Sequence, residues 1–152
     1  MFKKIVLFFV LLLLSFFVIY FFLFNDSYKK SFQARVYYAM GKYKMAYDVA
    51  KEAYLSDPYN RMALTMLNAS NASLKYLKYI QESKEYLKKI EKISAKSKIT
   101  PAELAKIKLI CEVMIGEYKK LKPIVISDGD LVQRATNQYN KFKKIYEELF
   151  KK

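Results

Sequence analysis

Residues 5 to 24 read IVLFFVLLLLSFFVIYFFLF, twenty positions of which nineteen are hydrophobic and none is charged. No other feature of the 152-residue chain constrains its folding as strongly. A helix rises about 1.5 Å per residue, so a run of this length covers about 30 Å, the hydrocarbon thickness of a bilayer. We expect a single transmembrane helix over 5–24, preceded by a basic N-terminus at 1–4. A cleaved signal peptide is the competing reading, because Met1-Phe2-Lys3-Lys4 resembles a basic leader region. The run exceeds the roughly 7–15 apolar residues of such leaders. It also exits through Phe22-Leu23-Phe24-Asn25-Asp26, with no small-x-small cleavage pattern.

Lys3 and Lys4 favour a cytoplasmic N-terminus, whereas Lys29, Lys30 and Arg35 follow the span closely and pull the other way. Long domains translocate largely regardless of charge, so the short basic N-terminus decides. In a bacterium this predicts a single-pass protein of the inner (cytoplasmic) membrane with residues 25–152 in the periplasm. A cytoplasm-facing domain is the alternative. Cys111 does not arbitrate, because a lone thiol forms no internal disulfide and suits either compartment.

Composition sharpens once the span is set aside. The whole chain is 53% hydrophobic with a net charge of +14. Residues 25–152 keep 26 of the 28 basic side chains and all 14 acidic ones, leaving +12. The absence of His, with one Cys, removes His-based acid–base chemistry and a His/Cys zinc site. Glu147 and Glu148 are neighbours on a helix and cannot face each other across a substrate. Cys111 lies among Ile107, Ile110 and Ile115, the setting of an inert buried thiol. No enzymatic activity, metal or cofactor is expected.

Three Gly and three Pro in the whole chain argue against turn-rich β architecture and for long helices. Helical segments are expected over about 27–40, 43–55, from 60 or 61 onward, and from Leu74 to Ile93. In the last of these, Leu74, Leu77, Ile80, Leu87, Ile90 and Ile93 recur at spacings of three or seven. Ser94 to Lys98 reads as a linker. Thr100-Pro101-Ala102-Glu103 is a helix start with N-cap, N1 proline and capping-box glutamate. The helix that follows is expected to bury Leu104, Ile107, Cys111 and Met114 or Ile115, with Pro123 limiting it. Asp128-Gly129-Asp130 can cap a last helix carrying Leu131, Ala135, Tyr139, Phe142, Ile145 or Tyr146, and Leu149 on one stripe.

An internal echo organises the soluble part. Tyr37-Tyr38-Ala39-Met40-Gly41-Lys42-Tyr43-Lys44-Met45-Ala46 is followed by Ala50, Ala53 and Asp57-Pro58. Gly41 permits a tight turn, the alanines let two helices approach closely, and Pro58 stops the second helix. Tyr37 and Tyr43 fill the larger gaps. This segment resembles the second half of a tetratricopeptide repeat. Counted in units of 34, the resemblance covers about 27–60 and a degenerate second unit at 61–94, where Asn68 and Lys92 depart from the pattern. Gly116-Glu117-Tyr118 echoes Gly41-Lys42-Tyr43 and marks a partial third unit. The resemblance implies an all-α stack of helical hairpins over 25–128, closed by an amphipathic capping helix at 129–152.

Such a stack holds a protein partner on a concave face lined by the first helix of each pair. The residues that the resemblance places there are Arg35, Tyr38, Met62, Thr65, Met66, Ala69, Lys106, Ile110 and Val113. The scattered basic residues do not reproduce the Lys/Asn set with which some family members clamp a partner's carboxylates. The lysines, spread over every helix, read first as a solvated surface. Lys3, Lys4, Lys29 and Lys30 are placed to touch anionic headgroups, at about 1 kcal/mol each. The expected role is a membrane-anchored scaffold or adaptor in a bacterial envelope assembly such as a translocon, a secretion or pilus machine, or a flagellar motor. An assembly chaperone for a membrane subunit is one alternative. A membrane-tethered binder of nucleic acid or another polyanion is the other, disfavoured because no recognised motif accompanies the charge.

Overall fold

The computed structural model describes residues 2–122 and 128–151, without the side chains of 2–4 and 21–24. The described residues form six α-helices and no strand: α1 (Phe2–Phe24), α2 (Asp26–Ala39), α3 (Tyr43–Ser56), α4 (Arg61–Ser94), α5 (Pro101–Lys120) and α6 (Gly129–Phe150). They divide into two compact units, Met1–Ser70 and Asn71–Lys152, so that α4 gives its first ten residues to one and the remainder to the other.

In the first unit, α1 is apolar on all sides. Every large side chain from Ile5 to Tyr20 is exposed, between 38% and 69%. Among the described residues no helix is long and apolar enough to cross a membrane; the described side chains of α1 are those of residues 5–20. Asn25 breaks the helix in an extended conformation and caps α2, its side chain accepting the Tyr28 N–H at 3.3 Å. Helices α2 and α3 then form an antiparallel hairpin around Gly41. Its φ of +72° lets Gly41 N–H reach Tyr38 O at 2.9 Å and Lys42 N–H reach Tyr37 O at 2.9 Å. This double bond pattern is a Schellman cap, which favours glycine because a Cβ is strained in that conformation. The hairpin interface is made of small residues: Ala34, Ala46, Ala50 and Ala53 are fully buried. Tyr38, Val49, Met62 and Leu67 pack around a centre of Ala34, Ala50 and Met66.

The second unit consists of α4 from residue 71, α5 and α6. Ile80, Ile90, Ile93, Ile107, Cys111, Met114, Leu131, Ala135 and Phe142 are buried, joined by Tyr76 and Tyr79. Tyr118 stacks on Tyr139 at 4.4 Å between centroids and leans on Tyr79 at 5.7 Å. The Tyr118 hydroxyl lies 2.9 Å from Thr136 Oγ1, whose own proton goes to Val132 O at 2.8 Å. The start of α5 has the expected capping box: Glu103 N–H donates to Thr100 Oγ1 at 3.2 Å, and Thr100 N–H to Glu103 Oε2 at 3.0 Å. Leu149, expected on the packed stripe of α6, is instead 47% exposed, and Leu104 of α5 is 38% exposed.

Two expected turns are absent. Residues 61–94, read as two helices of a degenerate repeat, form one uninterrupted helix. The intervening Asn68-Ala69-Ser70-Asn71-Ala72-Ser73 holds no Gly or Pro, and Ala69, Ser70 and Ser73 are buried as small contact residues. Gly116, expected to mark a turn like Gly41, lies inside α5, which runs on to Lys120. A mid-helix glycine costs about 1 kcal/mol relative to alanine but does not end a helix that is packed on one side. A helical hairpin with a glycine turn is therefore present in α2–α3 and not at these two later positions. Pro123 lies outside the described residues.

Candidate interaction surface

Helix α2 is amphipathic in an unusual sense. Its packed face carries Ser27, Ser31 and Ala34, all buried, at spacings of four and three. The large apolar residues lie on the other side: Phe32 is 56% exposed, Val36 42% and Met40 60%, at i, i+4 and i+8. At 100° per residue these three form one stripe, with Lys29 on the stripe and Arg35 at its margin. Small residues face in because the helices approach closely; bulky ones are left facing out.

The inward polar groups are fully used. Asn60, itself fully buried, donates from Nδ2 to Ser27 Oγ at 2.8 Å and Ser31 Oγ at 3.3 Å. Ser27 passes its proton to Ala53 O at 2.9 Å, and Ser31 to Tyr28 O at 2.9 Å. Asn60 Oδ1 accepts the N–H groups of Met62 and Ala63 at 3.0 and 3.1 Å, capping α4. One asparagine thus ties α2, α3 and α4 together. The cluster is a structural clasp with no open valence toward a ligand.

The sequence-predicted partner residues separate into two sets. In the first unit Arg35 is exposed, while Tyr38, Met62 and Thr65 are half-buried; Tyr38 meets Tyr43 edge-on at 5.2 Å. Met66 and Ala69 are core residues, 5% and 0% exposed. In the second unit Lys106 and Val113 are exposed and Ile110 is buried at 7%. The exposed apolar neighbour on α5 is Leu109, at 60%. Buried positions on these helices are set by close contacts of Ala, Ile and Met, which shift the accessible stripe by about one residue from the expected one.

Of the expected repeat residues, Tyr43, Ala46 and Ala53 are buried and Tyr37 is half-buried, accepting from Gln33 Nε2 at 3.2 Å. Pro58 is exposed, two residues beyond the end of α3. Among the residues placed at the membrane surface, Lys29 is exposed and Lys30 pairs with Glu52 at 3.1 Å; the side chains of Lys3 and Lys4 lie outside the described residues.

Charge elsewhere is arranged as a solvated surface. Lys44–Asp48, Lys78–Glu82, Asp130–Arg134 and Lys144–Glu148 are exposed i,i+4 pairs, each worth about 0.3–0.5 kcal/mol. Among the described residues no three His, Cys, Asp or Glu side chains are grouped to hold a metal ion. Cys111 is fully buried, and desolvation, then the neighbouring Glu112, pushes its thiol up to about 11. Burial raises Tyr79 to about 12 and raises Tyr76 as well. These groups stay neutral at physiological pH and serve packing.

The sequence offered a signal for the outer stripe in the four-residue spacing of Phe32, Val36 and Met40. It was masked by the usual expectation that large apolar side chains point to the core. No family model, no curated protein and no solved structure matches this chain.

Proposed function

We propose that the chain is a membrane-anchored helical adaptor that holds a protein partner beside the bilayer. The observation that carries this reading is the outward placement of large apolar side chains on α1 and α2, one residue apart in sequence. Residues 5–24 offer an uncharged surface that matches hydrocarbon, and the large side chains in its described portion, Ile5 to Tyr20, are exposed. In this reading residues 5–24 are the anchor, with Lys3, Lys4, Lys29 and Lys30 at its two ends.

The soluble part is then a single tetratricopeptide-like hairpin, α2–α3, extended by longer helices. Its partner surface in the first unit is the outer side of α2, Phe32, Val36 and Met40 with Arg35 at the margin; Tyr38, Met62 and Thr65 add accessible edges. Lys106 and Val113 are the accessible members in the second unit. The mechanism is passive: confinement to the membrane raises the effective concentration of the adaptor near other membrane components. In this reading Lys3 and Lys4 lie on the cytoplasmic side of a bacterial inner membrane and the helices in the periplasm.

A photo-crosslinking side chain at position 36 in intact cells tests the partner surface. The reading expects one protein adduct of fixed stoichiometry, abolished by Phe32→Ser with Arg35→Glu while thermal unfolding is nearly unchanged. An adduct that survives in that folded double variant contradicts it. An adduct found only with an unassembled subunit would favour the chaperone role.

A further inference from the structure

Ser56, at the end of α3, and Asp57, at the start of the loop to α4, border a cleft shared with the last turns of α1. Phe17 and Tyr20 line one cleft, of about 520 Å³, together with Asn25, Ser56 and Asp57. The end of α3 and the start of the loop thus stand across an open cleft from the emerging end of α1.

Two large side chains flank this segment in the open. Leu55 is 69% exposed, and Tyr59, at 92%, is the most exposed large hydrophobic side chain among the described residues. The loop backbone is meanwhile self-sufficient. Asp57 N–H donates to Ala53 O at 3.0 Å, Tyr59 N–H to Asp57 Oδ1 at 3.0 Å and Asn60 N–H to Asp57 O at 3.1 Å; Pro58 has no N–H. Every backbone donor from 57 to 60 is held within the protein, which lowers the cost of carrying the loop out of bulk water. The headgroup layer remains hydrated, so the Asp57 carboxylate keeps water there. Tyrosine, with an apolar ring and a polar tip, is suited to that layer.

We propose that the α3–α4 loop is a second membrane contact, with Leu55 and Tyr59 seated in the headgroup layer of the leaflet from which α1 emerges. This rests on the reading of 5–24 as a membrane span. The consequence is orientation. A lone span leaves the helical part free to swing about Asn25, whereas a second contact fixes which side of the α2–α3 hairpin faces the water.

The test uses the full-length chain in phosphatidylcholine vesicles, with an environment-sensitive fluorophore attached to one introduced cysteine at a time. Tyr59→Cys is the probe; Leu13→Cys reports the span and Lys44→Cys an exposed position at the other end of α3. Cys111 stays in place because it is buried and unreactive. Lipids bearing a nitroxide near the headgroup should quench position 59 and leave position 44 bright, while lipids with a deep nitroxide quench position 13. Quenching at 13 without quenching at 59 overturns the loop contact and leaves the span standing. A blue-shifted but unquenched probe at 59 also overturns it, since protein, such as a second copy, then covers the loop. Absence of quenching at 13 removes the span, and the loop contact with it.

Discussion

Asn60 Nδ2 lies 2.8 Å from Ser27 Oγ, a bond that joins the first turn of α2 to the cap of α4 across 33 residues. Both residues are buried, and every side-chain polar atom of the pair has a partner. Asn60→Ala removes an N-cap and two buried side-chain bonds together, and should cost about 2–3 kcal/mol. Asn60→Ser, which can still cap α4 but cannot reach across to α2, should fall between the two. Denaturant unfolding at neutral pH checks the order; equal midpoints for Ala and wild type would remove the clasp.

The glycines predict opposite signs. Gly41 has φ +72°, and Gly41→Ala should destabilise the hairpin by about 1 kcal/mol because L-residues are strained there. Gly116 is helical, and a Cβ built on it meets nothing within 4 Å. Gly116→Ala should therefore stabilise by up to about 1 kcal/mol. Thermal unfolding of the two variants should shift in opposite directions. A stabilising Gly41→Ala would contradict the turn geometry.

Glu103 is held by Lys96 and by the Thr100 N–H and hydroxyl, which lower its carboxyl to about 2. A carboxyl lowered by folding contributes stability above its unfolded pKa, near about 4.3, and loses it as pH falls toward the folded value. The melting temperature should therefore drop between about pH 4.5 and 2, with a shallower slope in Glu103→Gln. Lys96→Ala should weaken the dependence as well. Identical slopes in all three proteins would contradict the assignment.

Cys111 has its thiol raised to about 11 by burial and no exposed surface. At pH 8 an aromatic disulfide reagent should react with it only as fast as the protein opens, and immediately in denaturant. Rapid labelling of the folded protein would contradict its burial.

Much of the helical layout was readable from the sequence, because Asn25, Gly41, Asn60, Thr100 and Asp128 each carry a side chain or a backbone freedom that ends or starts a helix on local grounds. The capping box at Thr100 and Glu103 needs only four consecutive residues to be recognised. The merged α4 was not readable, because Asn68 to Ser73 is locally permissive and only packing of Ala69, Ser70 and Ser73 decides for continuation. The packed face of α2 was not readable for a related reason. Ser27, Ser31 and Ala34 look like surface residues until Asn60 and the α3 alanines are brought against them, and that contact is non-local. Met66, Ala69 and Ile110 followed the same rule from the other side, expected on an accessible face and found in the core.

We propose that residues 5–24 hold the helical part at a membrane, and alkaline carbonate extraction of cell membranes tests this most directly. The full-length chain should stay in the pellet through carbonate and dissolve only in detergent. Val10→Lys with Leu14→Lys puts two charges near the centre of the run, at about 2.5–3.5 kcal/mol each, and should move the protein to the soluble fraction with its helical circular dichroism retained. Release of the unaltered chain by carbonate alone, or identical partitioning of the charged variant, would contradict the anchor.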